Sequence, residues 1–251
     1  MMLEIDPTTA VAAGDWHGNT RWAEAAIAQA ATYGARTILH LGDYGYLYSQ
    51  TFCDAVEQAL AAHEMQLLFV RGNHDDVDHL DQLPRDPHGH GIVSSRVRHL
   101  RDGQRVMLGD EVVLALGGAG SIDRAHRLPG ASWWADEITP AAVIEQAIAD
   151  GPADIVLAHD CPAGVDLRLD PRFGAFYEDD DPGVLEYCEE NRERLRVAAE
   201  ALRPRLWLHG HYHQVTREQL VHDDGERTLV VGLDCDGESL ERNLVRVEGI
   251  G

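Results

Sequence analysis

Five short apolar runs, at residues 9–13, 36–41, 66–70, 154–158 and 205–208, each stop at side chains able to bind a metal ion. The stops read GDWHG at 14–18, GD at 42–43, GNHD at 72–75, HD at 159–160 and HGHYH at 209–213. Apolar runs this short are strands by length and composition. Between several of them lie stretches rich in Ala, Glu, Gln, Leu and Arg, at 20–33, 50–64, 139–150 and 183–202, which predict helices with Thr20 and Thr139 as N-caps. The alternation predicts an α/β layered fold. In α/β sheets, ligands gather beyond the carboxyl ends of neighbouring strands, so residues far apart in sequence are expected to converge at one site. The glycines beside them permit the sharp turns such loops need.

The remaining segments are read more coarsely. Residues 96–117 predict two or three short antiparallel strands joined by Asp-Gly and Gly-Asp turns, and 213–247 a similar meander. The acidic EDDDPG at 178–183 is expected to be a solvated loop leading into a helix. No internal repeat is present, and 251 residues with 44% hydrophobic content suffice for one large domain over 1–251.

Charge limits the partners. Twenty-one basic residues, all arginine, face 43 acidic ones, and the formal charge of -22 disfavours long nucleic acids. A small phosphate ester, such as a nucleotide, remains open as substrate because bound cations invert the local potential. Cys53, Cys161, Cys188 and Cys235 are widely spaced, with no Cys-x-x-Cys pair, and read as free thiols of a reducing compartment. The opening MMLEIDPTTA lacks the basic and apolar regions of a signal peptide, and no apolar run is long enough to span a bilayer. A cytoplasmic protein with no membrane partner is expected.

The candidate ligands are oxygen and imidazole nitrogen without thiolate, a set that suits Mn, Fe, Zn, Co or Ni and argues against a structural cysteine zinc site. Taken in order, Asp-x-His, Gly-Asp, Gly-Asn-His-Asp, His and Gly-His-x-His resemble the signature of the calcineurin-like metallophosphoesterase superfamily across most of the chain. That resemblance implies a four-layer αββα sandwich of two mixed β-sheets flanked by helices, with a dinuclear metal site at the carboxyl ends of strands. It further implies that Asp15, His17, Asp43 and His213 hold one divalent ion, Mn being the leading choice. Asp43, Asn73, His159 and His211 would hold the second, with Asp43 bridging. The implied reaction is hydrolysis of a small phosphodiester, a cyclic nucleotide or a related ester, by in-line attack of a metal-bridging hydroxide. His74 would protonate the leaving alkoxide as general acid, and Asp75 would orient and charge His74. The GDWHGN opening keeps a phosphomonoesterase or Ser/Thr protein phosphatase as the alternative. A non-catalytic interaction module on the same fold is disfavoured because all seven ligand types and His74 are present.

The resemblance also has departures. Protein phosphatases of this superfamily follow Gly-Asp with a segment ending in Asp-Arg-Gly, whose arginine binds phosphate, whereas the corresponding stretch here is GDYGYLYSQ. A replacement cation is sought in GGAGSIDRAHR at 117–127, where Arg124 and Arg127 are candidate substrate contacts and Asp123 and Asp136 the acids that would otherwise occupy them. Trp133 and Trp134 are expected to cap the core in preference to stacking on a base, and Phe173, Phe176 and Tyr177 pose the same alternatives. His209 is expected beside the ligands or in the core. His40 and His63 read as structural or exposed, His88 and His90 fall in a Pro/Gly-rich loop, and His126 has only its neighbours to place it near substrate.

Overall fold

The computed structural model describes residues 2–45 and 49–250; residues 46–48, inside the segment that replaces Asp-Arg-Gly, lie outside the described residues. In chain order the strands are β1 (Glu4–Ile5), β2 (Ala10–Ala13), β3 (Thr37–His40), β4 (Gln66–Phe69), β5 (Gly91–Ile92), β6 (Val97–His99) and β7 (Arg105–Leu108). They continue with β8 (Glu111–Leu116), β9 (Ile155–Ala158), β10 (Leu206–His209), β11 (Thr216–Val221), β12 (Arg227–Gly232) and β13 (Leu244–Arg246). The helices are α1 (Thr20–Thr32), α2 (Gln50–Ala62), α3 (Val77–Gln82), α4 (Ala141–Ala149), α5 (Pro171–Asp180), α6 (Val184–Leu202) and α7 (Leu240–Asn243).

The strands form a seven-stranded sheet, ordered β1-β7-β8-β9-β10-β12-β11, and a six-stranded sheet, ordered β13-β2-β3-β4-β6-β5. Strand geometry points successive side chains to opposite faces, and here both faces are apolar. On β2, Ala10 and Ala12 enter the core between the sheets, while Val11 and Ala13 face a second core shared with Ala23, Ala26 and Ile27 of α1 and Phe52 and Val56 of α2. On β9, Ile155 and Leu157 enter the inter-sheet core, while Val156 and Ala158 pack with Ile144 of α4 and Leu195 and Ala198 of α6. The result is the expected αββα sandwich. Burial on both faces is why these strands read as continuous apolar runs without polar alternation.

Local expectations are corrected at five places. Asn19, not Thr20, caps α1, its side-chain oxygen accepting from Trp22 N at 3.2 Å, and α4 begins after Pro140, with the Thr139 hydroxyl donating to Gly117 O at 2.6 Å. Within 96–117 only β7 and β8 form an antiparallel hairpin; β6 joins the other sheet, parallel to β4. The 213–247 region likewise splits, with β11 antiparallel to β12 and β13 crossing to pair with β2. A period-two pattern marks a strand but not the sheet it enters. The EDDDPG stretch is not simply a loop, since α5 runs to Asp180 and the Glu178 carboxylate accepts from Gly183 N at 2.7 Å and Leu185 N at 3.0 Å. That carboxylate satisfies free amides at the start of α6, which offsets its unfavourable place near the end of α5.

Candidate metal centre

Strands β2, β3 and β4 are parallel neighbours in one sheet, and β9 and β10 are parallel neighbours in the other. Their carboxyl ends therefore open together at one edge of the sandwich. Asp15 and His17 follow β2, Asp43 follows β3, Asn73 and His74 follow β4, His159 follows β9, and His211 and His213 follow β10. The turns are tight and strained. Of seven described non-glycine residues with positive φ, four are expected ligands: His17 (47°), Asp43 (53°), His211 (69°) and His213 (49°). Such conformations are unfavourable for residues with a Cβ and mark sites where the surroundings impose them. Glycine lets the strand ends meet: a Cβ on Gly72 would fall 2.0 Å from Asp43 Oδ1, and one on Gly210 2.1 Å from Asp15 Oδ1.

Three groups of side chains bring donor atoms within 4.8 Å of one another: Asp15 with His17 and His213, His17 with Asp43 and His74, and Asp15 with Asp43 and His159. Asp43 Oδ2 lies 3.4 Å from His17 Nε2, 3.5 Å from His159 Nε2 and 3.9 Å from His74 Nε2, while Asp15 Oδ2 lies 3.3 Å from His213 Nε2. Asn73 joins through its Oδ1, 3.0 Å from His159 Nε2. His211 enters none of the three groups; it stands beside His159, ring centroids 5.0 Å apart, and its backbone N–H donates to Asp15 Oδ2 at 3.1 Å.

Hydrogen bonding around these groups bears on whether they fit a cation. His159 Nδ1–H donates to Leu41 O at 2.8 Å, which turns the Nε2 lone pair on two oxygens, Asn73 Oδ1 and Asp43 Oδ2. Three acceptors face one another there, and a cation or an added proton resolves the repulsion. Electrostatics give the same answer. Burial disfavours the charge on His159, yet Asp43 and Asp15 push it up to about 9. His17 is driven up to about 12 against burial by Asp236, Asp43 and Asp15, and His213 up to about 10 chiefly by its bond to Asp15. Burial opposes the charge on Asp43, but His159 and His74 hold it well below the usual carboxylate range. Imidazoles thus compensate two buried carboxylates with protons, a task that divalent ions perform without them. The residues fit a pair of divalent cations.

Other candidates divide. His74 donates its backbone N–H to Asp43 Oδ1 at 2.8 Å, and its Nε2 faces Arg127 Nη2 at 2.6 Å. Burial first, then Arg127 and His17, push His74 down to about 4 against Asp43 and Asp123. Asp75, expected to orient His74, has its carboxylate on the backbone N–H groups of Tyr44, Gly45 and Gly72, at 3.4, 3.1 and 2.7 Å, where it braces the Gly-Asp and Gly-Asn-His loops. Arg124 is turned away, paired with Asp181 at 2.5 Å and lying 4.4 Å over the Tyr187 ring. Arg127 lines the cleft above the ligands, ion-paired with Asp123 at 2.7 Å, and its Nη1 is buried without a hydrogen-bond partner. Trp134 is buried as expected, and Trp133 donates its Nε1 to Glu137 at 3.0 Å.

Two supports escaped the sequence reading. Asp236 lies 2.7 Å from His17 Nδ1 and also accepts from Asn19 Nδ2 at 2.7 Å, fixing the ring so that Nε2 points at Asp43. It follows β12, another parallel neighbour of β10, so the strand-end rule itself would have found it. The second support is Glu137, fully buried, whose Oε2 accepts from the Ser121 hydroxyl at 2.6 Å while Ser121 Oγ accepts from Asn73 Nδ2 at 3.0 Å. That chain decides which end of the Asn73 amide faces His159.

A family model for calcineurin-like phosphoesterases matches residues 8–215, more than four-fifths of the chain and every expected ligand. The chain belongs to the calcineurin-like phosphoesterase family. Members are metal-dependent hydrolases of phosphate esters, and the Asp and His groups described above can hold the family's dinuclear divalent centre. Among solved structures, the protein TT1561 of Thermus thermophilus aligns with TM-score 0.54 at 15% identity over 95% of this chain and 93% of its own. A dimetal phosphatase from Danio rerio aligns with TM-score 0.49 at 12% identity over 91% and 88%. At such identities the likeness to TT1561 speaks for the fold alone. No curated protein matches the sequence. No described helix of this family member is long and apolar enough to cross a membrane.

Proposed function

We propose that the protein hydrolyses a small phosphodiester, a cyclic nucleotide or a related ester, at a centre held by Asp15, His17, Asp43 and His213 on one side and Asp43, Asn73, His159 and His211 on the other. Two bound divalent ions, Mn being favoured by an oxygen- and imidazole-rich shell, would supply Lewis acidity and a nucleophile from water. The chain's own work is to place charge and protons. Asp43, reached by His17, His159 and His74, fixes the centre of the site. His74 would deliver the proton to the leaving oxygen through Nε2; that atom accepts from Arg127 Nη2 here, so it takes up a proton from solvent only once the guanidinium has moved away. Arg127 then serves the phosphate: its partnerless Nη1 offers a donor to one oxygen, and transfer of the guanidinium from His74 to substrate frees Nε2.

The observation that carries the diester reading is charge matching. Of the two arginines lining the cleft, Arg127 is taken up by one phosphate oxygen and Arg192 is paired with Glu189 at 2.8 Å, so neither is left over for the second charge of a monoester dianion. Four cysteines without disulfides fit a reducing compartment and support a cytoplasmic location. The decisive comparison is hydrolysis of bis-p-nitrophenyl phosphate against p-nitrophenyl phosphate by Mn²⁺-loaded protein, with Asp43→Asn as control. Diester preference is expected. Monoester preference would replace this reading with a phosphatase, and inertness of both proteins alike would remove the enzymatic reading.

A further inference from the structure

The cleft above the ligands has a volume of about 540 Å³, far more than a phosphate group fills. Its floor is Asp43, Asn73, His74, His211 and His213, and its opposite wall is Leu169, Phe173, Gly174 and Tyr177 of α5 and its lead-in, with Leu185 of α6. This wall is unusual for its exposure. Helix α5 buries none of its described side chains, and Leu169, Phe173 and Leu185 remain 50%, 58% and 40% exposed. Phe173 and Tyr177 stand edge to face, ring centroids 5.0 Å apart and planes at 67°, and Tyr177 also meets Phe176 at 5.2 Å, so the Phe173 ring, more exposed than Tyr177, is the one left to meet a third planar group. The carboxylates Asp170 and Glu189 also line the cleft, paired with Arg172 and Arg192, and neither pair leaves a cation over for a second phosphate.

We infer that the α5 wall is a seat for a flat aromatic substituent carried by a singly phosphorylated ester, so that the substrate class is aryl or nucleoside phosphoesters, not polyphosphates or aliphatic phosphoesters. The inference rests on the phosphoester reading above and adds the other half of the substrate. A phosphate held at the floor and an aromatic group held at the wall occupy one continuous cleft, which commits the exposed rings to the substrate and not to a separate partner.

Equilibrium binding tests this. Dimethyl phosphate, methyl phenyl phosphate and methyl decyl phosphate, singly charged diesters, are titrated calorimetrically into Mn²⁺-loaded protein carrying His74→Ala to suppress turnover, and into the same protein with Phe173→Ala/Tyr177→Ala added. Methyl phenyl phosphate is expected to bind about 10-fold more tightly than dimethyl phosphate, the worth of one stacked ring, and that ratio should fall towards one when the wall is changed. Equal binding of the two with the wall intact, or a preference that survives the substitutions, overturns the seat. Tightest binding of methyl decyl phosphate overturns it in favour of an aliphatic site, and a dimer closed through α5 in sedimentation overturns it in favour of a second copy. Dimethyl phosphate binding indifferent to Mn²⁺ would instead strike the phosphoester reading beneath it.

Discussion

On the floor of the cleft Asp15, Asp43 and His159 are fully or almost fully buried, and Leu41 O, the His211 and His74 amides and the neighbouring imidazoles fix their atoms from several directions. On the wall, a helix with no buried side chain presents Phe173 with 58% of its surface exposed. The two regions face the same substrate but meet different demands. A metal centre works only if donor atoms are held to tenths of an ångström in surroundings of low dielectric, which strained turns and buried hydrogen bonds achieve. A stacking surface tolerates wider placement, because ring faces attract over a broad range of offsets.

The largest effects are therefore expected on the floor. Asp43→Asn should abolish binding of both metals, read by elemental analysis, and activity with it. His74→Ala should lower kcat by about 10²–10⁴-fold, the usual worth of a general acid, with metal content unchanged. Loss of metal in His74→Ala would move it into the ligand set, an outcome its grouping with His17 and Asp43 makes concrete. One shell further out, Asp236→Asn and Glu137→Gln should each weaken metal binding by about 10- to 100-fold, but at different ions. Asp236 supports His17, and Glu137 acts through Ser121 on Asn73. Calorimetric titration should resolve a weakened first site in one variant and a weakened second site in the other; equal loss at both would show that the floor responds as one unit.

This contrast also explains what the sequence revealed. Metal ligation restricts residue type, and parallel strands restrict where those residues stand, so Asp15, His17, Asp43, Asn73, His159, His211 and His213 were legible as strand-end residues. Asp236 obeyed the same rule but was hidden inside a region read as one meander, whereas β12 is a parallel neighbour of β10 and only β13 leaves for the other sheet. Glu137 carried no signal at all: it reaches Ser121 across 16 residues and Tyr187 across 50, contacts that only the packed fold creates. Arg124 and Arg127 were indistinguishable as two arginines in one loop until Asp181 claimed the first. Helix α5 was missed because a helix that buries no side chain needs no apolar stripe.

The smallest effect belongs to the wall and concerns how α5 is tethered. Glu178 is held below the ordinary carboxylate range by the Leu185 and Gly183 amides, and Asp181 by the Arg124 guanidinium. A carboxyl whose folded pKa is depressed contributes stability that is whole above its unfolded value of about 4 and disappears as pH falls through the folded value. Acidification should therefore loosen the end of α5 progressively from about pH 5 downwards, and these tethers are solvent-exposed, so the change should be local. Hydrogen-exchange protection factors are the measure. Between about pH 5 and pH 3, α5 amides should lose protection ahead of β2 and β3 amides, and Glu178→Gln should begin with lower protection and show a shallower dependence on pH. If α5 and the two strands instead lose protection together, the wall unfolds with the floor, and the separation of a rigid catalytic base from an adjustable stacking surface fails.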